Sequence, residues 1–359
     1  MEPMIKPKYK GRGAQNNPKN RFEKLSVDFT NPEYELNTDD EYFEIQPETI
    51  FYKDDSKSVI SKNDSIDINF DYSFNPYRGC EHGCVYCYAR PSHEFLGFSA
   101  GLDFETKIMI KEQAPQLLEA EFMKKSYESD LIEFSGNTDC YQPIERKLKI
   151  TRKALQVCLN YRNPVSIITK NALVLRDIDI LKEMAGLNLI SIMVSITTLD
   201  KELANKMEPR TSIPERRLRV IEELAKNNIP VGVNIAPVIP GLNDKEIPKI
   251  LKNSSVCGAV FAGYNIIRLA YNLKDLFTEW LEREMPDRAE KILNSIRGMR
   301  GGKLNQSEFG KRFTGEGELA EAIHNLFLLS CKKFNLNNKR ISLTNELFRH
   351  NPGSQFELF

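Results

Sequence analysis

Three cysteines fall within eight positions of this sequence, at Cys80, Cys84 and Cys87, inside Asn75-Pro-Tyr-Arg-Gly-Cys-Glu-His-Gly-Cys-Val-Tyr-Cys-Tyr-Ala-Arg90. Thiolates spaced C-x3-C-x2-C on one short loop, with Gly79 and Gly83 to let it bend, can converge on one face of an iron–sulfur cube and leave one iron open to another ligand. The competing chemistry is a zinc site completed by His82 or by the distant Cys140. Zinc sites usually pair two C-x2-C knuckles, however, and the chain has no second knuckle. Its seven cysteines are an odd number, and in a reducing compartment their crowding argues for metal chemistry rather than disulfides.

Such a loop needs a scaffold, and the pattern from about Ile66 to Ala270 supplies one. Short β-branched runs are expected as strands at Ile68–Phe74, Leu131–Ser135, Val165–Thr169, Leu189–Thr197, Val231–Val238 and Ala259–Leu269. Helical periodicity falls between them near Lys111–Ser126, Leu148–Tyr161, Val174–Ala185, Pro214–Asn227 and Asp244–Ser254. Asn243-Asp244 is expected to offer an N-cap before Lys245-Glu246, and Ser212-x-x-Glu215 a capping box. Strands alternating with helices imply right-handed βαβ units. Six of them would make an α/β fold of the partial (β/α)6, TIM-like kind, with active groups on the loops after the strand C-termini. The cysteines follow the first strand. Helices are expected again at Leu273–Arg283, Asp287–Ile296 and Glu318–Cys331, giving an extension over 1–65, a barrel over 66–270, a helical region over 271–335 and a flexible tail over 336–359.

The cysteine spacing, with an aromatic residue before the third cysteine, resembles the radical S-adenosylmethionine (radical SAM) superfamily. Gly136-Asn-Thr-Asp139, Gln142-Pro-Ile-Glu145, Ile168-Thr-Lys170, Val194-Ser-Ile-Thr-Thr198 and Pro237-Val-Ile-Pro-Gly-Leu-Asn-Asp244 narrow this to spore-photoproduct-lyase-related proteins, many of them named DNA-repair photolyases by analogy only. The resemblance implies that Cys80, Cys84 and Cys87 hold a 4Fe–4S cluster whose open iron takes the amino and carboxylate groups of S-adenosylmethionine. Reductive cleavage then gives a 5′-deoxyadenosyl radical that abstracts hydrogen from substrate, and an electron donor such as flavodoxin or ferredoxin is required. For the S-adenosylmethionine pocket the expected residues are Tyr86 as an adenine shelf, Lys170 at the end of strand three for the carboxylate, Ser195 and Thr197 on one strand face for the ribose, and Arg210. Asn137 sits at the turn that contacts the methionine amino group, where the usual acid is absent or replaced by Asn137 or Asp139. Each also has a bland reading: loop packing for Tyr86, a solvated strand-end lysine for Lys170, polar barrel filling for Ser195 and Thr197. Cys140 is a candidate hydrogen-atom donor or else a small buried thiol, and His93 a substrate contact or a structural histidine.

Lys+Arg and Asp+Glu are both 50, so the net charge is zero and any nucleic-acid contact must come from local patches. One patch is the segment with Lys6, Lys8, Lys10, Arg12, Lys19, Arg21 and Lys24, read as a solvated arm or a nucleic-acid arm; an acidic, aromatic segment from Asp28 to Asp55 follows and is expected to lie across the main domain. No apolar run is long enough for a membrane span and no signal core opens the sequence, so a cytoplasmic protein is expected. The last five residues, Gln355-Phe356-Glu357-Leu358-Phe359, resemble the bacterial sliding-clamp-binding motif, with Leu358 and Phe359 as apolar anchors for a clamp partner. The leading expectation is a radical SAM enzyme acting on nucleic acid, DNA first, in repair or modification. The alternatives are a metal-stabilised, non-enzymatic adaptor in DNA replication or repair, and a radical SAM enzyme acting on RNA or protein.

Overall fold

The computed structural model describes residues 8–22, 44–45, 47–68 and 70–351. Six parallel strands, β1 (Tyr72–Phe74), β2 (Ile132–Phe134), β3 (Val165–Thr169), β4 (Ile190–Ser195), β5 (Val231–Val238) and β6 (Phe261–Ile266), lie side by side in chain order. An antiparallel edge strand, Ile60–Lys62, pairs with β1. Each crossover carries a helix: α1 (Ala114–Phe122), α2 (Ile150–Tyr161), α3 (Ile178–Gly186), α4 (Pro214–Lys226) and α5 (Ile247–Val256). This is the α/β, mostly parallel architecture expected of a partial TIM-like barrel.

Alternation along the strands sorts the two faces. Ile132, Phe134, Val165, Ile167, Ile190, Ile192, Val231 and Val233 are fully or almost fully buried and form the core with the helices. In α2 the matching stripe is Ile150, Ala154, Leu155, Cys158 and Leu159, at helical spacing. Register places Ser73, Glu133, Ser166 and Ser191 in one row on the other face, which is polar and partly open. Helices α6 (Leu273–Glu284), α7 (Pro286–Gly298) and α8 (Glu318–Lys333) follow β6.

Four expectations need correction. Asn243 does not cap a helix with its side chain: it accepts from Ile239 N at 2.6 Å and donates to the carbonyls of Thr197 and Pro237, tying β4 to β5. Ser212 forms no capping box, because its hydroxyl accepts from Ala172 N (2.9 Å) and Pro214 opens α4 instead. Residues 9–22 are no solvated arm. Arg12, Gly13 and Ala14 are buried against the cysteine loop, Arg12 donating to the main-chain oxygens of Glu105 (2.8 Å) and Pro47 (2.9 Å). Finally, residues 336–351 are packed rather than a flexible tail: Leu336 is buried, and the Phe348 ring meets Phe122 edge-on and Tyr127 and Tyr161 at a tilt. The clamp-like peptide Gln355–Phe359 lies outside the described residues, as do Lys6, Lys24 and most of the acidic segment. Its described end does cross the domain, with Ile50–Lys53 pairing in parallel with Lys107–Ile110, which in turn pairs with Tyr77–Arg78.

Candidate active site at the barrel mouth

The cysteine loop leaves this small second sheet directly after Arg78. Gly79 and Gly83 both have positive φ (80° and 69°), and a Cβ on Gly79 would sit 3.0 Å from the carbonyl oxygens of Phe104 and Lys107. The turn therefore needs glycine for conformation and for space. Gln142 clamps the loop from the β2 side, accepting from Glu81 N (3.0 Å) and donating to Gly79 O (3.2 Å). Glu81 itself accepts from Ile144 N, Thr49 Oγ1 and Arg210. On the far side Arg90, completely buried, donates to Cys84 O at 2.9 Å and pairs with Glu105 at 2.5 Å. Glu105 also accepts from the amides of Gly13 and Ala14.

Cys80 and Cys84 are buried, Cys87 is half-buried, and all three are free thiols. Burial pushes each of them up, Cys84 to about 12, while the Lys170 ammonium acts in the opposite direction on Cys84 and Cys87. Buried thiols beside a cation, with no disulfide partner, fit a set of iron ligands, since coordination is what would remove their protons. Among the described residues no three His, Cys, Asp or Glu side chains are arranged around a point that would hold a single metal ion. His82 points instead to Asn171 (3.0 Å) and Asp139 (3.4 Å), burial holding its imidazole down to about 4, and Cys140 is fully buried in the core.

Several expected pocket residues meet beside this loop. Tyr86 reaches Thr197 (3.2 Å between hydroxyl oxygens), and the Lys170 ammonium lies 5.8 Å from the Tyr86 ring centroid in no ion pair among the described residues. Ser195 is buried at the end of β4, where its carbonyl accepts from Arg217. Asn137 is held by its amide to Asn75 Oδ1 (2.8 Å). Arg210 is turned to Glu81 at 3.1 Å and braces the loop from behind. Cys140 N is fixed by Ser135 Oγ (2.9 Å), and its carbonyl accepts from Thr151. His93 is completely buried between Phe98 and Phe104, and burial pushes it down to about 4.

The structure adds Glu208, Arg217 and Glu133, which sequence reasoning passed over, and shows how Asp139 is held. Glu208 receives the Tyr86 hydroxyl and pairs with the fully buried Arg217 at 2.5 Å. Burial opposes its charge, but Arg217 and Lys170 outweigh burial and keep Glu208 below the usual carboxylate range. Asp139 accepts from Lys170 N (2.8 Å), Thr169 Oγ1 and Tyr141 N, joining the ends of β2 and β3. Glu133, a lone charge within an apolar strand, accepts from Ser166 through one oxygen and leaves the other buried without a partner; burial raises it to about 8.

Residues 74–253, half of the chain, match the Radical SAM superfamily. The chain belongs to that superfamily. It is a radical SAM enzyme, and members use a 4Fe–4S cluster and S-adenosylmethionine. An uncharacterized protein of Mycobacterium tuberculosis (strain ATCC 25618 / H37Rv) is 31% identical over 234 residues, covering 64% of this chain and 69% of its own. Another, from Methanocaldococcus jannaschii, is 30% identical over 226 residues, covering 62% and 80%. Among solved structures, spore photoproduct lyase complexed with dinucleoside spore photoproduct shares the fold at TM-score 0.56 and 18% identity, covering 76% of each chain. A mutant of that enzyme with bound AdoMet and dinucleoside spore photoproduct aligns at TM-score 0.57 and 16% identity, over 80% of this chain and 79% of that one. No helix among the described residues is long and apolar enough to cross a membrane.

Proposed function

We propose that this radical SAM enzyme holds its cluster through Cys80, Cys84 and Cys87 and acts on a nucleic acid, in repair or modification. The observation that carries the first half is the placement of three free thiols at the mouth of a parallel barrel, near the ammonium of Lys170, which forms no ion pair among the described residues. The chemistry supplied there is reductive cleavage of S-adenosylmethionine to a radical that takes a hydrogen atom from substrate. The chain's own residues bind and orient. Lys170 offers a charge-assisted contact to a carboxylate. The buried Tyr86–Thr197–Glu208–Arg217 network fixes the floor beneath it, and the row Ser73, Glu133, Ser166 and Ser191 offers polar groups to a substrate inside the barrel.

The nucleic-acid half is supported by the likeness to spore photoproduct lyase, whose solved complex holds a dinucleoside photoproduct. Anaerobic reconstitution followed by reduction in the presence of irradiated DNA, tRNA or peptides is the test. Production of 5′-deoxyadenosine coupled to a new nucleic-acid product is expected; coupling to peptides alone would overturn the substrate class. Gln355–Phe359 is proposed as a tether to a sliding clamp, checked by calorimetric titration of full-length protein against protein truncated after Ser354. A small flavodoxin or ferredoxin is the proposed electron source.

A further inference from the structure

Two guanidiniums at the C-terminal end of β6 form no ion pair among the described residues. Arg268 lies two residues beyond that strand, at the same end of the barrel as the cysteine loop. Arg300, in the link after α7, is 1% exposed and folds back onto the strand end, donating to the carbonyls of Ile266 (3.3 Å), Ile267 (3.1 Å) and Arg312 (3.2 Å). Among the described residues its Nη1 is buried without an acceptor, and so is Nε of Arg268. The local carboxylates are committed elsewhere. Asp67 takes Arg312 (2.8 Å from Nε), while Glu308 and Glu316 flank Lys311. Among the described residues no ion pair reaches Arg268 or Arg300. Burial, and then the charge of Arg268, pushes Arg300 down to about 10; burial and Arg312 lower Arg268, and Tyr271 and Asp67 offset this only in part. Leaving buried N–H donors and like charges together is costly. A single anion bound between them would relieve both.

We propose that Arg268 and Arg300 form a phosphate-binding site on the barrel rim, and that it takes a backbone phosphodiester of the nucleic-acid substrate. This rests on the nucleic-acid reading above. Guanidiniums are planar forks matched to phosphate oxygens, and a grip on the backbone at the rim leaves the adjoining nucleoside free to enter the barrel.

Arg268→Gln is the main test, because the Arg268 side chain makes no hydrogen bond to the protein among the described residues. Arg300→Gln, checked for fold by circular dichroism, is the second variant. Binding of a short fluorescein-labelled single-stranded oligonucleotide to the reconstituted holoenzyme is measured by anisotropy across a salt series. A parallel arm measures thermal stabilisation by inorganic phosphate. Arg268→Gln is expected to weaken oligonucleotide binding about tenfold at low salt and to flatten the log–log salt slope by about 0.7. It should also abolish phosphate stabilisation, while substrate-free cleavage of S-adenosylmethionine stays unchanged. Equal affinity and equal slope in variant and wild type would overturn the site, and so would a wild type that responds to neither probe. If phosphate stabilises the wild type alone and no oligonucleotide binds, the phosphate site stands and the nucleic-acid substrate falls.

Discussion

At the scale of single residues, the cysteines stand out in the sequence because local spacing carries their proposed role, whereas Glu208 and Arg217 do not. Their pairing depends on how the segment after β4 folds under Tyr86, and no local pattern encodes that crossing. Replacing Cys80, Cys84 or Cys87 singly with Ala is expected to abolish bound iron after reconstitution while leaving far-ultraviolet circular dichroism unchanged; full iron in all three variants would refute the ligand set. Lys170→Ala should weaken S-adenosylmethionine binding by roughly 1–3 kcal/mol, the usual cost of losing a charged hydrogen bond, read by calorimetry on the holoenzyme. Glu133 makes a prediction about pH. Its carboxyl is held neutral in the fold up to about 8, whereas in the unfolded chain it ionises near 4.5. The native state therefore holds the extra proton, and stability falls as pH rises through that window, by roughly 4 kcal/mol. Glu133→Gln keeps an acceptor for Ser166 and has no proton to lose. Its unfolding midpoint should exceed that of wild type at pH 8 and converge with it near pH 4, and parallel pH profiles would count against the assignment.

At the scale of elements, β3 and β5 were read to the residue, since their β-branched runs are buried under helices and bounded by turn residues. The small sheet was not read. Ile50–Lys53 is exposed along its length and sits among acidic residues, so it has none of the alternation that marks a half-buried strand. The Ser212 cap failed for a different reason: a hydroxyl reachable from two backbones accepts from Ala172 N, in the turn that follows β3, rather than from its own helix. The fit between the segment at Gly13 and the cysteine loop is equally invisible to local pattern. A Cβ on Gly13 would meet Gly83 O at 1.9 Å, a clash with backbone that no rotamer change relieves. Gly13→Ala is accordingly expected to lift this segment off the loop and destabilise the protein by about 1–3 kcal/mol. The check is a paired measurement of thermal midpoint and of iron loss to a chelator, with faster iron loss expected in the variant.

At the scale of the whole molecule, distant parts of the chain are held by side chains from far away in sequence. Asp67 joins the approach to β1 to Arg312 beyond β6, and Arg349 and Phe348 fasten the segment after α8 onto α1 and α2. Phe348→Ala should cost roughly 1–2 kcal/mol through lost ring contacts and expose residues 338–351 to limited proteolysis, with cleavage of S-adenosylmethionine unaltered; an unchanged digestion pattern would show the ring to be dispensable. Gly13 and Ala14 give their amides to Glu105, residues 92 and 91 positions later. In biosynthesis those two residues leave the ribosome long before the carboxylate that fastens them exists. The three thiols also emerge ahead of Glu105, so they first meet the cell as an open loop, and the covering segment can settle only after that interval.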